Sequence, residues 1–94
     1  MQSDRELLDR VLRRDASAFE DLMARHRFAV SQAIARIVRD ESEVQDLVQE
    51  SFLRLWTRAD QWTGQGSFRA WLLRIGTNLA LNHLRSIRRR RWQT

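Results

Sequence analysis

The sequence predicts an all-α fold, a compact bundle of about four helices. Two observations carry that prediction. The chain has no proline and only three glycines among 94 residues, so little in it interrupts a helix. Its apolar residues recur at three- and four-residue steps in four successive stretches, the period of helices that each bury one face. A chain of this length makes one domain, 1–94, and buries somewhat over half of the surface it exposes when unfolded.

The first helix begins after Ser3, which forms a capping box with Glu6, and runs to about Arg13 with Leu7, Leu8, Val11 and Leu12 as its stripe. Arg13-Arg14-Asp15 is a short break, and Asp15 can cap the next helix, expected over about Ala16–Arg39. Phe19, Leu22, Met23, Val30, Ala33, Ile34 and Ile37 form its core stripe; the methionine and phenylalanine there are core residues by default. Ser42 and Gln45 make a second capping box after the turn Asp40-Glu41-Ser42.

The third helix is expected from about Glu43 to Ala59, burying Val44, Leu47, Val48, Phe52, Leu55 and Ala59. Its other side gathers Asp46, Gln49, Glu50, Leu53 and Trp56. A leucine and a tryptophan among acids and amides suggest a partner surface with an apolar centre and a polar rim. The alternative is that Leu53 and Trp56 pack on the first helix or on the following loop.

The loop from Asp60 to Ser67 contains Gly64 and Gly66, which permit positive φ or close backbone approach. Trp62, Gln61, Gln65 and Ser67 supply a stacking plane and hydrogen-bonding groups. Such a loop can enclose one unstacked base; it can equally be a plain turn with Trp62 tucked into the core.

Ser67 then caps a long last helix, weakened locally by Gly76. At 100° per residue, Phe68, Leu72, Ile75, Leu79 and His83 share one side, while Ala70, Leu73, Thr77, Ala80 and Leu84 cover the opposite one. Between them runs a strip of Trp71, Arg74, Asn78, Asn82, Arg85 and Arg89. Indole, amides and guanidiniums are the groups that stack on bases, pair with base edges and neutralise phosphates. A solvated face is the plain alternative, and the charge distribution weighs against it. Residues 1–60 carry ten arginines against twelve acids, whereas residues 61–94 carry seven arginines and no acid. The polyanion-facing part is therefore the C-terminal third.

Other classes of function are excluded or disfavoured. With no cysteine there is no disulfide framework or thiolate site, and His26 and His83 lack ligand-like spacing, so neither a metal nor a cofactor is expected. No nucleophile–base pair, paired carboxylates or phosphate loop argues for an enzyme. The sequence has no stretch resembling a membrane span or a signal-peptide core, and the expected location is cytoplasmic.

At DLVQESFLRLW, followed by GSFRAWLLRIGTNLALNHLRSIRRRR, the chain closely resembles a bacterial RNA polymerase sigma factor, in the second conserved region of the extracytoplasmic-function (ECF) group. The resemblance covers nearly the whole chain. It implies a helical domain that binds the clamp helices of the polymerase β′ subunit and recognises and helps melt the promoter −10 element. It also implies an anti-sigma factor that covers the polymerase-binding surface. Asp46, Gln49 and Glu50 match the polymerase-binding motif, with Phe52, Leu53 and Trp56 around it. Asp60–Phe68, including Trp62, Gln65, Ser67 and Phe68, matches the segment that captures a base flipped from the non-template strand. Trp71 matches an aromatic at the edge of the melted region, while Arg74, Asn78 and Asn82 lie where base-edge and phosphate contacts occur; Arg85 and Arg89 continue that strip. Primary sigma factors carry a second aromatic directly after the first, where this chain has Leu72, which implies weaker melting and a stricter promoter. The family's C-terminal helix-turn-helix domain, which reads the −35 element, is absent from this chain. The rival reading is a sigma-like decoy that binds an anti-sigma factor without recognising DNA, and a generic RNA-binding module stands third.

Overall fold

Helix caps set the order of the elements. The structure, a computed structural model, describes residues 1–93. Helix α1 (Asp4–Leu12) starts from the predicted capping box, in which Ser3 Oγ accepts from the Glu6 amide and Glu6 accepts from the Ser3 amide. Arg14 adopts φ 64°, and the Asp15 amide donates to Arg10 O while the Arg14 amide donates to Val11 O. This is a Schellman ending with arginine where glycine is the usual residue, at a backbone cost of about 1–2 kcal/mol. Asp15 then caps α2 (Ala16–Ala35) by accepting from the Ser17 and Ala18 amides.

Helix α2 stops four residues short of the expected end. The Ile37 and Val38 amides both turn back to Ile34 O, which lets Val38 reach the core. Helix α3 (Glu41–Arg58) correspondingly starts early, because Asp40 and not Ser42 is its cap. Asp40 Oδ1 accepts from the Ser42 and Glu43 amides and from the Ser42 hydroxyl, so the serine is spent as a donor. A 3₁₀ turn (Ala59–Gln61) and the loop to Ser67 lead into α4 (Phe68–Gln93).

The core is one cluster built from Leu7, Leu8, Val11, Leu22, Val30, Ile34, Val48, Phe52, Leu55, Phe68, Leu72 and their neighbours. Helix α2 lies centrally, packed against the other three helices, and α4 also packs on α3. A 26-residue helix is about 39 Å long, which accounts for the longest dimension of 49 Å.

The two apolar sides expected on α4 merge into one. Phe68, Leu72, Gly76 and Ala80 are buried in a single stripe, whereas Ala70 is exposed and Leu73, Thr77 and Leu84 form its half-buried rim. Gly76 causes this. A Cβ there would lie 3.3 Å from Ser51 Oγ and 3.4 Å from Ile34 Cδ1, so the missing side chain lets α4 pack tightly against both α2 and α3. Among the described residues no helix is long and apolar enough to cross a membrane.

Candidate nucleic-acid interface and partner groove

Helix α4 projects its polar strip where the end of α3 approaches it. Trp71, Ile75, Asn78, Leu79 and Asn82 from α4 face Arg54, Arg58 and Gln61 across a cleft of about 140 Å³. The cleft thus joins an indole and two amides to two guanidiniums from another element. Arg54 and Arg58 escaped the sequence reading because nothing in α3 alone shows which way its last turns point. Trp71 is half-buried against Phe68, with ring centroids 5.9 Å apart, and Arg74, Asn78, Asn82, Arg85 and Arg89 are exposed. Arg85 donates to Asn82 Oδ1 at 3.3 Å, which orients that amide along the strip.

Four of the predicted site residues are occupied elsewhere. Phe68 is only 4% exposed, and its ring packs on His26, Trp62 and Trp71, so it supports the site from behind. Ser67 uses its hydroxyl to cap α4, accepting from the Ala70 amide at 3.2 Å. Phe52 is 2% exposed: it points into the core, as its place in the apolar stripe required. Trp56 packs edge-on against Phe19 with centroids 5.1 Å apart and lies under the Arg14 guanidinium, 4.9 Å from its ring centre. Trp56 is thus packed, but on α2 and Arg14 and not on α1 or the loop after α3, while Leu53 is exposed.

The rest of the outward face of α3 opens on a groove. Asp46, Gln49 and Leu53 line a depression of about 480 Å³ together with Gln45, Val48 and the inner ring of Phe52. Its other wall is Arg27 of α2 with Phe19 and Met23, the last two assigned to the core by the helical period alone. Leu53 is 52% exposed, an apolar centre with polar groups around it. Glu50, next to Gln49 in sequence but not lining the groove, accepts from Arg54 Nε at 3.2 Å, and Arg54 lines the cleft.

The loop 62–67 connects the 3₁₀ turn to α4. Gly64 and Gly66 have φ of 84° and 74°, a conformation that a side chain disfavours. Trp62 is half-buried, edge-on to Phe68 with centroids 5.5 Å apart, and its covered Nε1 has no hydrogen-bond partner. Gln65 is exposed.

His26 is buried and fully bonded: Nε2 lies 2.9 Å from Asp4 Oδ1, and Nδ1 accepts from Arg69 Nε at 3.3 Å. Arg25 donates to the same Asp4 oxygen at 3.0 Å. Burial opposes ionisation of Asp4, but the His26 and Arg25 contacts outweigh it and hold the carboxyl below its ordinary range. His83 Nε2 lies 3.1 Å from Glu43 Oε2, within ion-pair distance but outside hydrogen-bond geometry. Among the described residues there is no cluster of three or more metal-ligating side chains.

Comparison with known proteins places this geometry. Residues 22–91 match the model of the family described as sigma-70 region 2. The chain is 36% identical over 83 residues to RNA polymerase sigma-H factor of Pseudomonas aeruginosa, covering 88% of this chain and 43% of that protein. It is 35% identical over 82 residues to ECF RNA polymerase sigma-E factor of Escherichia coli K12, covering 87% and 42%. It therefore spans less than half the length of these relatives. An engineered region 2 of sigmaE, solved by NMR in complex with GTAAAA, superposes with a TM-score of 0.85 at 34% identity, over 95% of this chain and 93% of that one. CnrH in complex with the cytosolic domain of CnrY superposes at 0.77 and 36% identity, over 86% and 53%. The chain belongs to the sigma-70 region 2 family, in the branch of the extracytoplasmic-function sigma factors.

Proposed function

We propose that this domain binds core RNA polymerase through the α2–α3 groove and reads the unpaired non-template strand of a promoter −10 element in the α3–α4 cleft. It thereby directs transcription initiation, by binding and without covalent chemistry. The observation that carries the reading is the convergence of Trp71, Asn78 and Asn82 with Arg54 and Arg58 on one cleft. This cleft lies beside a chain segment, 61–94, with seven arginines and no acid. A duplex is far too wide for it, whereas a base or a sugar–phosphate unit of a single strand has the right scale. The likeness to a sigmaE region 2 bound to GTAAAA supports this choice of ligand.

The energetics are of the right size. Stacking of one base on Trp71, or on Trp62 in the loop, is worth about 1–3 kcal/mol, and a bidentate amide–base contact discriminates by about 1–3 kcal/mol. Taking a base out of the duplex costs a few kcal/mol, so two captured bases offset it. Leu72 is fully buried, which leaves Trp71 alone to stack at this edge of the melted strand. That supports weak intrinsic melting and a strict promoter.

The groove supplies an exposed Leu53 with Asp46 and Gln49 beside it, and Glu50 follows Gln49 on the same helix, the composition of a partner site for the clamp helices of the β′ subunit. An anti-sigma factor is proposed as its alternative occupant; the likeness to CnrH, solved with a bound segment of CnrY, supports a second protein partner.

The deciding experiment titrates this domain against core RNA polymerase from Escherichia coli, wild type beside Gln49→Ala/Glu50→Ala. Binding that the variant loses is the expected result. A wild type that ignores polymerase at low salt overturns the reading in favour of a decoy.

A further inference from the structure

Two adjacent residues of α1 hold the two ends of the loop that α1 never joins in sequence. Arg5 Nη2 donates to Gly64 O, and the Arg5 guanidinium lies 5.6 Å from the centre of the Trp62 ring. Asp4 bonds His26, which in turn accepts from Arg69 one residue into α4. The loop has little to hold it otherwise. Its own polar contacts are local: the Trp62 amide to Ala59 O and the Gln65 amide to Thr63 Oγ1, both at 3.4 Å, and at Ser67 the cap and the carbonyl that accepts from the Trp71 amide. Trp62 Nε1 has no hydrogen-bond partner, so the indole is kept in place by the flat guanidinium on it and by the edge of Phe68. Gly64 is shaped to this contact: a Cβ there would lie 2.7 Å from Arg5 Nη2.

Resting on the function proposed above, we propose that the first turn of α1 is a clamp for the base-capturing loop, with Arg5 as the positioning residue that sets Trp62 to receive an unpaired base of single-stranded DNA. Arg5 touches the loop backbone and the Trp62 ring, and it acts on the base through them. Its planar fork suits one side chain to bond a carbonyl and lie over an indole at once; a lysine keeps the charge but not that forked, planar geometry. Ordering the loop before the base arrives removes an entropic cost from capture.

The test selects single-stranded decamers from a fully randomised DNA library on wild type, Arg5→Lys and Arg5→Ala in parallel. The wild type is expected to enrich a motif of several positions. Both variants are expected to lose preference at one position, that of the loop-held base, by about fivefold, and to keep the rest of the motif. Arg5→Lys retains the charge and is expected to bind oligo(dT) with unchanged salt dependence, separating the clamp from general attraction. Unchanged motifs in both variants overturn the clamp and leave the proposed function standing. Equal flattening at every position, with a lowered melting temperature, also overturns it, because that is the signature of a purely structural role. A wild type that enriches no motif overturns the functional reading and the clamp together.

Discussion

Asp4 and His26 meet at 2.9 Å across the α1–α2 contact, the carboxylate facing a ring that the core almost completely encloses. Because Arg69 Nε donates to the ring's Nδ1, the imidazole proton sits on Nε2, towards Asp4. A single partly buried carboxylate thereby organises α1, α2 and, through the ring, the start of α4.

This arrangement makes stability pH-dependent in a defined direction. The folded-state pKa of Asp4 lies below its ordinary 3.8, so its contribution is fully present above that value and is lost as pH falls through the folded pKa. Asp4→Asn keeps an acceptor but not the charge. We expect it to cost about 1 kcal/mol at pH 6, with the difference shrinking below pH 4, in urea unfolding followed by circular dichroism.

Gly76 sets how closely α4 approaches its neighbours. Gly76→Ala adds helix propensity of about 1 kcal/mol but brings Cβ to 3.3 Å from Ser51 Oγ, so its net effect should stay within about 1 kcal/mol. Gly76→Leu has nowhere to go and should destabilise by about 1–3 kcal/mol or more. Denaturant midpoints of the two variants check both expectations.

The strip on α4 divides into two roles. Asn78 lines the cleft, whereas Arg89 lies about two turns beyond Asn82's end of it, exposed. Asn78→Ala should relax preference at one base by about 1–3 kcal/mol. Arg89→Ala should weaken binding to all sequences alike and reduce the salt slope by about 0.7 on single strands. Identical sequence profiles for wild type and Asn78→Ala would count against this division.

Glu50, next to Gln49 of the groove, and Arg54 of the cleft form one i,i+4 ion pair of 3.2 Å. The pair is exposed enough that its worth to folding is a few tenths of a kcal/mol. Its consequence for binding is larger: Glu50→Gln frees Arg54 from its carboxylate. Single-stranded DNA should then bind about two- to fivefold more tightly at low salt, while polymerase binds less well. Fluorescence anisotropy on oligo(dT) measures the first effect, and an unchanged affinity would show that Arg54 does not reach the strand.

What was legible in the sequence is what lies within one turn of a helix. The Ser3 capping box, the Asp15 cap, the apolar stripes of α1–α3 (all but Leu12, which is exposed at the end of α1) and the α4 strip all depend on residues three or four apart, whose relative positions a helix dictates. The resemblance rests on the same local patterns. Where two local solutions compete, as between Asp40 and Ser42 for the cap of α3, the pattern alone chose wrongly, since both residue types cap well and only the folded turn shows which oxygen reaches the amides.

Contacts between elements were decided by packing. The merging of the two sides of α4 at Gly76, the cover on Trp56 and the recruitment of Phe19 and Met23 to a groove wall depend on how closely and at what angle helices cross. So do the meeting of Arg54 and Arg58 with Asn78, and of Arg5 with Gly64. The period of a helix says which residues share a face; the tertiary structure decides what that face meets, because a crossing is settled by side-chain shape along two surfaces at once.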